Sequence, residues 1–324
     1  MTDETLKFSV KFGKNAYELS FPSTTMVSEG QAAADALKSA KANQIAARKS
    51  VPQATTRPSL PVMSAQEARV ASWSKTGIIG FRDSGLQEIP CEVWGVGSAG
   101  RVLDLGSNHI MSIAASISQL PNLQKLRLDG NSLQDEGMPW EAMTALVNLT
   151  HLSVNSNRLN SLPEQIGRLA SLKVLSVVSN ALSVVHGELG KLKKLQHIAL
   201  AGNRLETLPS GLAGCEELVE LDLRNNKVSV IPESFRSLLK LQVLSMDSNL
   251  VAAVPPVVLR ECRSLHTITL HKNPLTVEQF RETAGFSEYE GRRIKKCSKQ
   301  IDMRVMLNRD GFDEGIDNME WQHW

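Results

Sequence analysis

One recurring register decides what this chain can fold into. The pattern LxxLxLxxNxL returns along it, with its polar position filled by Asn108, Asn131, Asn157, Asn180, Asn203, Asn226, Asn249 and Asn273. Ser84 holds the same place in GIIGFRDSGL, so the intervals are 24, 23, 26, 23, 23, 23, 23 and 24 residues. Self-similarity at a fixed period means stacked units, not one closed core. A single turn cannot bury its own leucines. Its neighbours must cover them, and the nine turns between Thr76 and Leu275 form one continuous spine.

The chemistry of each position follows. The LxL pair belongs to a short strand with its leucines inward, and alternation aims the intervening residue outward. In the fifth turn Leu175 and Val177 point in and Ser176 points out. The asparagine sits where the chain turns away, and its short amide satisfies backbone groups that the bend leaves unpaired. Proline in the second half, as at Pro209, ends strand pairing because it has no N–H to donate. Aromatic residues are 5% of the chain, so the core is leucine, isoleucine and valine, each contributing roughly 1.5–3 kcal/mol when buried. This is the signature of a leucine-rich repeat. The expected fold class is α/β: a leucine-rich repeat solenoid, a curved horseshoe with short parallel strands on its concave face, a partial N-terminal β-hairpin and a C-terminal helical cap.

The two ends of such a stack need lids. Trp73, Phe81 and Trp94 are candidates for the N-terminal edge, and Val277, Phe280, Phe286 and Tyr289 for the C-terminal edge. The 26-residue turn holds an insertion around Pro139-Trp140, expected to bulge and expose its tryptophan. Residues 6–21 alternate around Gly13-Lys14-Asn15 and read as a hairpin. The predicted division is a partial hairpin at 1–28 (ubiquitin-like by the family resemblance given below), a weak helix and disordered linker at 29–70, the repeats at 71–275, a cap at 276–305 and an acidic tail at 306–324.

Lys and Arg total 36 against 34 Asp and Glu, a net charge of +2. That balance argues against nucleic acid or an anionic membrane as the partner. The basic run from Arg292 to Lys299 reads as a solvated helix face, with an acidic partner as the alternative. Cys91, Cys215, Cys262 and Cys297 form no CxxC pair, so no metal or disulfide framework is expected and no cofactor is called for. Cys215 and Cys262 fall at equivalent repeat positions, which favours packing. No secretory signal or membrane span is read, pointing to the cytoplasm, with the nucleus also open.

The outward strand positions form the expected partner-binding surface. Val174, Val178, Ala199 and Ala201 surround Ser176 with small or apolar side chains. Lys125, Arg127, His151 and Ser153 border them on one side, and His197, Glu220, Asp222 and Arg224 on the other. An apolar centre with a charged rim is how protein interfaces are commonly built. The alternative is a set of tolerant surface positions.

Enzymatic readings fare poorly. Gly95-Val-Gly97-Ser-Ala-Gly100 matches GxGxxG, but it precedes a strand with no helix to hold a pyrophosphate, and is expected to be a convex loop. His151 and His197 are two strands apart, about 10 Å, too far to share one metal ion. A His151–Ser153 nucleophile pair lacks oxyanion donors and a pocket. No enzyme is expected.

The turns of the form NxLxxLPxxIxxLxxL resemble those of intracellular leucine-rich repeat proteins, including the plant Ras-group-related class. Four further segments extend the resemblance to plant leucine-rich repeat proteins that carry a ubiquitin-like domain: KFSVKFGKNAYELSF, WSKTGIIGFRDSGLQEIPCEVW, the insertion at Trp140, and FRETAGFSEYEGRRIKKCSKQID. After Thr25-Met26-Val27 the remainder of a ubiquitin-like fold is missing, and no terminal diglycine is present. The resemblance implies an intracellular scaffold for protein partners. A small GTPase or a component of the ubiquitin pathway is the partner class it suggests.

Overall fold

The computed structural model describes residues 5–12, 15–22 and 64–307, which belong to two units divided between Val62 and Met63. In the first unit, β1 (Thr5–Phe12) and β2 (Asn15–Pro22) pair antiparallel, with Phe12 opposite Asn15. The predicted weak helix and linker at 29–70 lie outside the described residues up to Met63, and the predicted acidic tail at 306–324 lies outside them after Leu307, its first two residues belonging to the last helix.

The second unit opens with α1 (Ala65–Thr76). Ser64 and Glu67 form a reciprocal capping box, which fixes the helix start. The predicted boundary between linker and repeats, at 70/71, falls inside this helix. Gly77 closes it in the left-handed conformation and leads directly into the sheet.

Nine parallel strands follow, each one three-residue step: β3 (Ile78–Gly80), β4 (Val102–Asp104), β5 (Lys125–Arg127), β6 (His151–Ser153), β8 (Val174–Ser176), β10 (His197–Ala199), β11 (Glu220–Asp222), β12 (Val243–Ser245) and β13 (Thr267–Thr269). They pair in chain order and in one register, so that Ile79, Leu103, Leu126, Leu152, Leu175, Ile198, Leu221, Leu244 and Ile268 form a single inward column. All nine are buried. A minor pair, β7 (Ser161–Leu162) and β9 (Val184–Val185), continues the stacking outside the main sheet. Most turns return through a short 3-10 segment, such as Glu164–Arg168 or Ser210–Gly214. Adjacent segments pack very closely at Gly190, where a Cβ would stand 1.8 Å from the carbonyl oxygen of Gly211.

Each turn bends at one residue. Asp83, Ser107, Gly130, Ser156, Ser179, Gly202, Asn225, Ser248 and Lys272 all have φ between 52° and 67°. Each stands immediately before the asparagine position (Ser84 in the first turn). Seven of the nine are not glycine, so this bend is held against the steric preference of L-residues. The asparagine holds it. Asn108 Nδ2 donates to the carbonyls of Phe81 and Leu105, both at 2.8 Å, and its Oδ1 accepts from Leu86 N at 2.9 Å. The same pattern repeats through Asn273, stitching each turn to the one before it.

Both lids form. At the N-terminal end Trp73 and Phe81 meet edge-on with ring centres 5.3 Å apart, and Trp94 is buried with them in the core. At the other end α4 (Val277–Glu282) and α5 (Phe286–Leu307) bring together Phe280, Phe286 and Tyr289. The Tyr289 hydroxyl accepts the outward N–H of Ile268 on the last strand at 3.1 Å.

The insertion departs from expectation. Trp140 is only 9% exposed and starts a short helix, α2 (Trp140–Met143), whose Met143 is fully buried. The loop before it is drawn inward. Gly137 O accepts from Ile113 N at 2.9 Å, and Asp135 Oδ1 accepts from Asn160 N at 2.8 Å. A Cβ on Gly137 would stand 2.1 Å from Met111 O, so only glycine permits that approach. The GxGxxG segment is not one open loop: two short 3-10 turns within Cys91–Ala99 meet at a kink at Gly97, Val96 beside the kink is buried, and Gly100 is extended beyond their end.

Candidate functional site

Parallel pairing in a single register brings the outward residues of β5, β6, β8, β10 and β11 into rows: Lys125, His151, Val174, His197, Glu220 in one and Arg127, Ser153, Ser176, Ala199, Asp222 in the next. Most of these side chains are half-buried; Arg127 and Glu220 are exposed. Val178 is half-buried just beyond β8. Ala201, expected on the same surface, is 7% exposed and therefore closed to a partner's side chains. Its carbonyl accepts the N–H of Ser179 at 2.8 Å, holding it against the preceding turn.

Polar groups on this face are largely engaged with one another. Asp129 Oδ1 accepts from both the Ser153 hydroxyl and Asn155 N. One turn on, Asn155 Oδ1 accepts from the Ser176 hydroxyl at 2.8 Å and Val178 N at 2.7 Å. Asp247 repeats the arrangement with the Thr269 hydroxyl and His271 N. This second ladder, parallel to the asparagine column, was not anticipated from sequence. An acid or amide two residues beyond a strand's last residue, facing a hydroxyl on the next strand, is the signal that marks it.

The rim charges are also partly spent. Arg224 forks onto Asp222, with Nε–Oδ1 at 2.9 Å and Nη2–Oδ2 at 2.8 Å, and that carboxylate raises the guanidinium pKa. His197 Nδ1 stands 3.3 Å from Glu220 Oε2. Arg127 reaches Asp104 at 3.4 Å. Lys125 makes no ion pair among the described residues. His151 has its pKa lowered, first by burial and then by Lys125 and Arg127. The Thr150 hydroxyl donates to Gln124 O, so its oxygen accepts from His151 Nδ1–H at 2.8 Å and leaves Nε2 as an acceptor.

No reaction centre is assembled from the residues tested for one. Ser153 donates to Asp129 and His151 bonds Thr150, so they do not form a nucleophile–base pair. Among the described residues no group of three His, Cys, Asp or Glu side chains could hold a metal ion, and no helix is long and apolar enough to cross a membrane. Cys215 and Cys262 are fully buried, and their thiols donate to Leu189 O and Phe235 O.

Comparison with known proteins agrees with this architecture. The family described as Leucine rich repeat matches at residues 148–169, 170–228 and 216–275. The strand column continues N-terminal of those matches, back to Ile78. An LRR repeats and ubiquitin-like domain-containing protein of Arabidopsis thaliana is 57% identical over 257 residues, covering 79% of this chain and 68% of the relative. Plant intracellular Ras-group-related LRR protein 8 of Oryza sativa is 48% identical over 278 residues, covering 83% and 73%. Among solved structures, an LRR protein of Leptospira interrogans superposes with a TM-score of 0.55 at 27% identity, over 68% of this chain and 60% of that one. With nine stacked turns, a continuous asparagine ladder and relatives of this similarity, the chain belongs to the leucine-rich repeat family, alongside plant proteins named for LRR repeats with a ubiquitin-like domain and for the Ras-group-related class.

Proposed function

We propose that this chain is an intracellular scaffold that binds a protein partner on the concave strand face. The observation that carries the reading is the register of β5 to β11. It places Val174, Val178 and Ala199 at the centre of a surface flanked by Lys125, Arg127 and His151 on one side and His197, Glu220, Asp222 and Arg224 on the other. Because Asp129 and Asn155 already hold Ser153 and Ser176, the polar floor is preorganised, and little side-chain entropy remains to be lost on binding. Contact is expected mainly from the valines and from Lys125, which makes no ion pair among the described residues. A small GTPase is the partner class suggested by the name of the rice relative.

The test is Val174→Glu with Val178→Glu. Affinity capture with the wild-type chain should enrich a defined partner, and the double variant should lose it by at least tenfold while its circular dichroism melt is unchanged. Equal capture by a folded variant would refute the concave assignment. A second reading, a ubiquitin-pathway adaptor, draws on the antiparallel β1–β2 pair and on the name of the Arabidopsis relative. It requires that deletion of residues 1–62 abolish capture of a ubiquitin-pathway protein while leaving the repeats folded.

A further inference from the structure

A second surface lies outside the concave rows, at the C-terminal end of the stack. A cavity of about 430 Å³ opens between the last repeats and α5. Its lining includes Arg263, Arg292, Lys295 and Lys296, together with His266 and Gln242, and no carboxylate.

Two of the four cations are fixed. Arg292 donates through Nε to Leu265 O at 2.8 Å and through Nη2 to Leu259 O at 2.5 Å, binding the end of α3 (Pro256–Glu261) and the turn before β13. Lys296 Nζ donates to His266 Nε2 at 2.9 Å, and the other ring nitrogen pairs with the Thr267 hydroxyl at 2.9 Å. Burial and then the Lys296 charge lower the His266 pKa, which favours the uncharged ring beside that ammonium. Arg263 and Lys295 are exposed and form no ion pair among the described residues. Glu288 lies close enough to Arg292 to feel its charge, but it accepts from the Ser287 hydroxyl and does not line the cavity.

Four cations around one open recess, with no acid among its lining, concentrate a positive potential there. A single carboxylate would leave most of that charge unbalanced. A phosphate monoester carries nearly two negative charges and three strong acceptor oxygens, which match the N–H donors that the Arg263, Lys295 and Lys296 side chains and the remaining Arg292 nitrogen carry at this recess. We propose that this cavity binds a phosphate monoester through Arg263, Arg292, Lys295 and Lys296. A phosphorylated side chain of a protein and a free phosphorylated metabolite share that chemistry. Gln242 and His266 immediately precede β12 and β13, so the cavity sits at the rim of the strand face. The site does not depend on the concave partner reading.

The experiment titrates the full chain, at constant ionic strength, with a phosphoserine peptide, its unphosphorylated form and inorganic phosphate, followed by calorimetry. Saturable binding of the phosphopeptide above its unphosphorylated form identifies a protein-borne phosphate. Equal binding of inorganic phosphate identifies a free one. In either case Arg263→Gln with Lys295→Gln should weaken binding roughly tenfold per cation removed, and Arg263→Lys with Lys295→Arg should retain it. In the wild type, the NMR signal of Arg263 Nε should shift with the same saturation curve, which locates the ligand independently of any variant. Absence of saturable binding by both phosphate probes, or unchanged affinity in the glutamine double variant, would overturn the assignment.

Discussion

Replacing Asn203 by alanine should cost about twice as much stability as replacing Asn226, although the two occupy the same motif position one turn apart. Each Oδ1 accepts from a buried N–H one turn back: Leu182 N for Asn203 and Leu205 N for Asn226. Each Nδ2 reaches two carbonyls within 2.9 Å, those of Val177 and Leu200 for Asn203, and those of Leu200 and Leu223 for Asn226, and a longer third, Ala201 O or Arg224 O, that also accepts a backbone N–H. The Leu200 carbonyl therefore receives two amides, and Leu223 receives a second from Asn249 at 2.9 Å. Val177 receives that of Asn203 alone among these amides, because Asn180 turns its Nδ2 to Val154 and Val178 instead. Asn226→Ala thus leaves one buried group without its partner, and Asn203→Ala leaves two. At about 1–3 kcal/mol for each orphaned group, the costs are about 1–3 and about 2–6 kcal/mol. Urea unfolding followed by circular dichroism would measure both, with midpoint and slope fitted separately because stacked repeats can lose cooperativity. If Asn226→Ala costs as much as Asn203→Ala or more, the shared-carbonyl account is wrong.

Two further predictions concern titratable groups. Burial pushes the Cys215 and Cys262 thiols up to about 11, so at pH 8 only exposed cysteines such as Cys91 and Cys297 should react rapidly with a thiol reagent. The two buried ones should react only on unfolding; four fast thiols in the native protein would contradict this. Because those two pKa values are raised by folding, their stabilising contribution is complete below about pH 9 and should fade as pH rises toward 11, a decline that Cys215→Ala with Cys262→Ala would reduce. His151 should titrate below the ordinary histidine range by NMR. Lys125→Ala with Arg127→Ala should move it upward without restoring it fully, since burial is the larger cause. The depressed value means that its contribution to stability is present above about pH 6.5 and lost as pH falls; an upward-shifted His151 in the wild type would reverse that sign.

The spine was legible because leucine and asparagine repeat at intervals that leave no freedom in register: once Leu103 and Leu126 face inward, every later LxL pair must follow. The lids were legible because aromatic residues are scarce and cluster at the two ends. Trp140 is buried although the insertion's length suggests an exposed bulge, because its spacing continues the apolar period of the turn. Trp140, Met143, Leu146 and Leu149 fall three residues apart, and all four are buried. Ala201 was misjudged because strict alternation was carried past the end of β10, where the chain has already begun its bend into Gly202. The bend itself was not readable, since serine, aspartate, lysine and asparagine at the left-handed position carry no common sequence mark. The basic cavity was half visible: the run from Arg292 was noted, but Arg263 and His266 join it only through the packing of α5 on the last repeat.

The Tyr289 hydroxyl has a consequence beyond local packing. A solenoid of parallel strands ends in an open hydrogen-bonding border, the kind of template onto which another chain can add. On β13 the outward amide of Ile268 already has its acceptor in Tyr289, and the phenol ring behind it belongs to the aromatic plug formed with Phe280 and Phe286. The plug therefore terminates the stack chemically as well as sterically. That amide is closed to a strand added from another chain, and the aromatic plug stands where such a strand would have to pass.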